Sequence, residues 1–228
     1  MESIKKYIKQ FERVQLFRLL VALLLFWTPV ILFSKIAGEI LEHEPVLFDT
    51  QILYWIHNFS TPFLDALFVC VTTIAGPIYL MFITIAILAF LLYKKKRLNA
   101  LLVFFGVGGA TAANFILKLI FHRDRPALWH RLVVETDFSF PSGHSMISMA
   151  LIASVIIMLW NTRWRLTSLI VGTFVLLMIG ASRLYLGVHY PTDVVAGWSI
   201  GLAWVIIVLF IVRKLSIRKR ISPNLTKK

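Results

Sequence analysis

Two histidines, three cations and an aspartate stand beside long apolar runs in this chain. His189 and Asp193 are four residues apart, which on a helix puts both side chains on one face. Pro191 between them is tolerated in a first helical turn. An aspartate so placed can hold one imidazole nitrogen as N–H and leave the other free to attack phosphorus. Lys118, Arg125 and Arg183 lie at or just beyond the ends of apolar runs. Together they suit a multiply charged oxyanion, because arginine offers planar paired donors and lysine a point charge. The donors are too many for the two oxygens of a carboxylate, so phosphate fits better. Ser142, Gly143 and His144 open the apolar run that follows "FSFPSGHSM". Ser142 can cap a helix there, the unpaired amides of a first turn point at an anion, and Gly143 lets backbone approach closely. His144 can then give a proton to a leaving oxygen.

The elements that must position these groups are membrane helices. Of 228 residues, 59% are hydrophobic, and mean hydropathy is +0.81. The excess lies in blocks long enough to cross a bilayer, which takes about 20 residues per helix. Hydropathy predicts six helices at about 16–36, 66–93, 98–120, 143–161, 166–186 and 192–213. The expected fold is therefore all-α and polytopic, one membrane domain over 1–228. The polar segment 37–65 falls outside the hydrocarbon, with "FDTQILYWIHNF" as a short interfacial helix. The basic N-terminus followed by an apolar run reads as a retained first span, since no small-residue cleavage site follows closely. Gly109 with Ala113, and Gly197 with Gly201, mark close helix–helix packing.

Net charge is +13, and its distribution argues for a topology signal rather than nucleic-acid binding. Of 24 lysines and arginines, 18 fall on one side: Lys5, Lys6, Lys9, Arg13, Arg18, Lys94, Lys95, Lys96, Arg97, Arg163, Arg165, Arg213, Lys214, Arg218, Lys219, Arg220, Lys227 and Lys228. Both termini are then cytoplasmic, and the six remaining cations (Lys35, Lys118, Arg123, Arg125, Arg131 and Arg183) face outward with the histidines. His43 and His57 read as surface histidines. The single cysteine, Cys70, excludes a disulfide framework and a cysteine-rich metal site. Segment 127–140 borders the mouth of such a site. Trp129, His130 and Arg131 are candidate rim residues there, and Glu135 also reads as rim rather than catalytic. Asp124 reads as an ion-pair partner for its neighbours Arg123 and Arg125.

"KLIFHRDRP" (Lys118 to Pro126), "PSGH" (Pro141 to His144) and "SRLYLGVHYPTD" (Ser182 to Asp193) resemble the three-part signature of the type 2 phosphatidic acid phosphatase superfamily. The likeness runs from about 66 to 213 and matches every motif spacing. It implies His189 as nucleophile, Asp193 as its partner and His144 as general acid. It further implies phosphate binding by Lys118, Arg125, Ser142, Gly143, His144 and Arg183, a phosphohistidine intermediate, no metal and no other cofactor. The expected activity is hydrolysis of a lipid phosphate or pyrophosphate at the outer face of the cell membrane. Undecaprenyl pyrophosphate and phosphatidylglycerol phosphate are the leading candidates, and vanadate is an expected inhibitor. Phosphoryl transfer to another lipid or a sugar is the alternative. A transporter would carry ionisable groups near mid-bilayer, whereas these spans are nearly uncharged between their ends. Oligomeric state is not legible.

Overall fold

The computed structural model describes residues 2–42 and 47–221. His43, Glu44, Lys227 and Lys228 lie outside these. Of Lys5, Lys6, Lys9, Arg13, Arg18, Arg218, Lys219 and Arg220 only the backbone is described. Among the described residues there are eight helices and no strand: α1 (Glu2–Leu41), α2 (Leu47–His57), α3 (Pro62–Ile74), α4 (Pro77–Tyr93), α5 (Arg97–Phe121), α6 (Gly143–Leu159), α7 (Arg165–Tyr185) and α8 (Pro191–Ile221).

The helices begin and end where local chemistry asks. Pro62, Pro77 and Pro191 each open a helix, where a missing N–H costs nothing. Thr61 caps α3 by accepting the Leu64 N–H at 3.3 Å. α5 ends on His122 in the left-handed conformation, φ 46°, with its N–H returned to Lys118 O at 3.2 Å. The short helix expected within 48–59 is α2.

The single helix expected over 66–93 is two. α3 and α4 meet at a 48° bend between Ile74 and Pro77. Pro77 disfavours helical backbone in the residue before it, and Gly76 is extended at φ −66°, ψ 159°. A Cβ at Gly76 would sit 2.9 Å from Thr73 O, so the bend also needs glycine. α1 and α8 run well past the expected ends, because a helix propagates through its charged terminal turns regardless of where hydrocarbon stops.

Among the described residues, four helical stretches are long and apolar enough to cross a membrane: Leu20–Leu41, Arg97–Phe121, Arg165–Tyr185 and Pro191–Ser216. The bent α3–α4 pair passes the same test jointly, and α6 is apolar but only 17 residues long. By length and composition alone these make four spans, or five with the bent pair counted as one.

α6 is central, with Ser145, Met146, Ala150, Leu151 and Ser154 all buried. It lies tightly on α8. A Cβ at Gly197 would meet Ser142 O at 2.7 Å, and one at Gly201 would meet Met146 O at 2.6 Å. Glycine at both positions is what lets the two backbones touch, as the spacing predicted. Gly109 of α5 does the same for the Trp204 ring of α8, 2.3 Å from a hypothetical Cβ. On the outside, Phe82, Phe104, Phe115, Phe174 and Leu177 are exposed, as suits lipid-facing positions.

Candidate active site

The packing gathers the end of α5, the start of α6, the end of α7 and the start of α8 around the loop 122–142. Lys118 is in the last turn of α5, and Arg183 in the last turn of α7. His144 is in the first turn of α6, and Asp193 in the first turn of α8. All are buried except His144, which is half-buried.

His189 is the centre. Its Nδ1 lies 3.3 Å from Asp193 Oδ2 and 3.3 Å from Ser139 Oγ, and its Nε2 lies 3.1 Å from Arg125 Nη1. A guanidinium only donates, so Nε2 presents a lone pair and Nδ1 carries the proton. Burial, then the charges of Arg183 and Arg125, hold His189 well below the ordinary imidazole range, so it is neutral at pH 7. His144 is close enough to feel the charges of Arg183, His189, Lys118 and Arg125.

Asp193 accepts from four donors: Arg123 Nη1 at 2.5 Å on Oδ1, and on Oδ2 Ser139 Oγ at 2.5 Å, Tyr190 N at 2.9 Å and the His189 ring. Ser139 is set in place by its own N–H, which reaches Arg123 O at 2.8 Å across the loop.

The three cations converge, and each has a carboxylate from the loop. Lys118 pairs with Asp137. Arg125 pairs with Asp137 and approaches Glu135 at 4.0 Å, while its Nη1 also donates to Val188 O at 2.8 Å. Arg183 pairs with Glu135 and with Thr72 Oγ1 of α3. Its Nε is buried and has no acceptor among the described residues. Burial opposes ionisation of Asp137, but Lys118 and Arg125 outweigh it and hold that carboxyl below its usual range. Glu135 and Asp137 are thus carboxylate partners of the cations. Asp124 makes no ion pair among the described residues; Arg123 pairs instead with Asp49 and Asp193.

Ser142 occupies the N-cap position of α6, but its side chain does not cap: Ser142 Oγ is buried and receives Ser145 Oγ–H at 3.1 Å. Gly143 has a packing reason, since a Cβ there would lie 2.9 Å from Asn114 Oδ1. Asn114, one turn before Lys118, holds the turn through Nδ2 to Pro141 O at 3.0 Å. Trp129 stacks on His57 at 4.1 Å. Both line a separate cavity of about 90 Å³ with His130, Ser60, Asp65 and Tyr185. Arg131 donates to the Arg125 and Pro126 carbonyls.

Asp49, Thr72, Asn114, Arg123 and Ser139 were not singled out by spacing. One signal for Asp49 was available: it is the sole acid in α2. Among the described residues no group of three histidine, cysteine or acidic side chains could hold a metal ion.

A buried neutral histidine, backed by aspartate, faces clustered cations at one end of the helical bundle, an arrangement chemically able to hold a phosphate group. The family model of the PAP2 superfamily matches residues 99–217, and the chain belongs to that superfamily. It is a multi-pass membrane phosphatase. Phosphatidylglycerophosphatase B of Bacillus subtilis (strain 168) is 31% identical over 146 residues, 62% of this chain and 71% of that protein. The undecaprenyl-diphosphatase of Sulfolobus acidocaldarius is 39% identical over 70 residues, 31% of each chain. The crystal structure of a transmembrane PAP2 type phosphatidylglycerolphosphate phosphatase from Bacillus subtilis is similar with TM-score 0.71 at 27% identity, covering 86% of this chain and 96% of that one.

Proposed function

We propose that the protein hydrolyses a lipid phosphate or pyrophosphate without a metal, through a phosphohistidine on His189 Nε2. The observation that carries this is the His189 ring, with Asp193 on Nδ1 and Arg125 on Nε2. Lys118, Arg125, Arg183 and the first-turn amides of α6 hold the phosphoryl oxygens and stabilise the charge of the transition state. Arg183 Nε, buried without an acceptor, suits one of those oxygens. Phosphoryl oxygens replace the Glu135 and Asp137 carboxylates on the cations. Nε2 attacks phosphorus in line, the P–O bond to the lipid breaks, and His144 protonates the leaving oxygen. Water, losing a proton to His144, then attacks phosphorus, and the P–N bond breaks to release inorganic phosphate and neutral His189.

The chain spans the bilayer six times, with α3–α4 as one bent span and α6 as a short one. Both termini are cytoplasmic under the positive-inside rule, and the site opens on the extracytoplasmic face. The relatives' names favour phosphatidylglycerol phosphate and undecaprenyl pyrophosphate as substrates. The test is phosphate release in detergent across a panel of lipid phosphates. Wild type releases phosphate from one of them in the presence of a chelator, and His189→Ala does not; full hydrolysis by His189→Ala ends the reading. Phosphate transferred to a lipid or sugar acceptor, with none free, marks the transferase alternative.

A further inference from the structure

The ionised groups around His189 extend one layer behind Asp193, into a helix outside the residues that match the family. Arg123 donates through Nη1 to Asp193 Oδ1 at 2.5 Å and through Nη2 to Asp49 Oδ2 at 2.9 Å. Its guanidinium also reaches Thr192 Oγ1 at 2.8 Å and lies 4.1 Å over the Tyr190 ring. Asp49, on α2, is 1% exposed and accepts twice from Thr192, from the backbone N–H at 3.0 Å and the hydroxyl at 2.5 Å. It therefore caps α8 from another helix, at the turn that carries Asp193.

We propose that Asp49 and Arg123 are a positioning pair for the nucleophile: Asp49 fixes the Arg123 guanidinium, and Arg123 fixes Asp193 so that Oδ2 faces His189. The proposal rests on the phosphohistidine reading. Without Arg123, one oxygen of a wholly buried carboxylate loses its cation. Without Asp49, Arg123 would cancel the charge that Asp193 offers to the imidazole. With both present, Asp49, Arg123 and Asp193 sum to one negative charge behind the ring. That charge stabilises the cationic phosphohistidine as it forms. The other charged groups facing His189 are Arg125, Arg183, Lys118 and Asp137, with His144 across the site. They act from the phosphate side and are common to all the variants below.

The experiment uses the full chain in detergent with a short-chain phosphatidate. Asp49→Asn keeps the size of the side chain and removes its charge. The expected kcat falls about tenfold, the loss of a charge-assisted hydrogen bond. KM stays within about twofold, because Asp49 touches no phosphate-binding group. The acid limb of kcat/KM moves in opposite directions, down in Asp49→Asn and up in Arg123→Gln, by about one pH unit each. In the double variant it returns toward wild type, and Asp49→Glu recovers part of kcat. Arg123→Lys keeps the charge but loses the fork, so kcat falls with the limb unmoved. An unchanged kcat in Asp49→Asn, or limbs that move the same way in both single variants, overturns the pair. If Asp49→Asn does not fold, an Arg123→Lys enzyme with wild-type kcat overturns it equally. His189→Ala, assayed alongside, separates the two ideas. If it is inactive while Asp49→Asn is normal, only the positioning pair fails. If it is active, both fail.

Discussion

Arg125 Nη1 lies 3.1 Å from His189 Nε2 while donating to the Val188 carbonyl at 2.8 Å. One guanidinium thus ties the backbone beside His189 to the nitrogen proposed as the nucleophile. It also leaves that nitrogen no role but acceptor, since Arg125 has no lone pair to offer. The nitrogen that keeps its lone pair is set by this hydrogen bond, and the chemistry proposed for it has measurable consequences.

The acid limb of the pH–rate profile will fall below the ordinary imidazole value of 6.5. Only neutral His189 has a lone pair on Nε2. Its folded-state pKa is lowered, so protonation begins only as pH drops beneath the usual range. A profile of kcat/KM for a pyrophosphate substrate checks this. An acid limb above pH 6.5 contradicts it.

His144 variants will be sensitive to the leaving group. His144→Ala is expected to lose about 10²–10⁴ in kcat/KM for alkyl phosphates, whose oxygen leaves poorly without a proton. The loss will be smaller for an aryl phosphate, whose oxygen leaves as a weaker base. Equal losses for both would remove His144 from the role of acid.

Glu135 and Asp137 will compete with anions. Glu135→Gln or Asp137→Asn frees Arg183, or Lys118 and Arg125, from a carboxylate. The Asp137 side chain is 56% exposed, so the gain is small, up to about fivefold in vanadate affinity. Inhibition curves read this directly. Weaker vanadate binding in both variants would mean that the carboxylates organise the cations rather than compete for them.

Gly201→Leu will destabilise the bundle by about 1–3 kcal/mol, because the side chain must enter the Met146 backbone of α6. Gly108→Ala is the control: nothing lies within 4 Å of a Cβ there, and alanine favours helix by about 0.5–1 kcal/mol. Thermal melting in detergent orders the three proteins.

Sidedness can be read with a membrane-impermeant thiol reagent on intact cells, after Cys70→Ser removes the native thiol. His130→Cys, exposed on the 122–142 loop, is expected to react; Lys95→Cys, at the α4–α5 turn, is not. The reverse pattern would turn the site toward the cytoplasm.

How much was legible beforehand follows from the range of each interaction. His189 and Asp193 are an i,i+4 pair, Lys118 ends an apolar run, and Gly197 and Gly201 share a helix face. Periodicity along one helix states all of these, because side-chain direction depends only on local backbone geometry. The 48° bend at Gly76–Pro77 was equally local, yet apolar content across 66–93 masked it.

Charge partners were a different matter. Asp124 was the nearest acid to Arg123 along the chain, but the arginine went to Asp49 and Asp193, 74 and 70 residues away. Glu135, placed at the rim by its segment, pairs with Arg183, 48 residues on, and Asp137 with Arg125. Sequence alone determined which residues are candidates for chemistry and which helix ends carry them. Only the tertiary structure decided which acid meets which base. A buried charge must find its counter-ion wherever packing brings one, and that choice is made across helices, not along them.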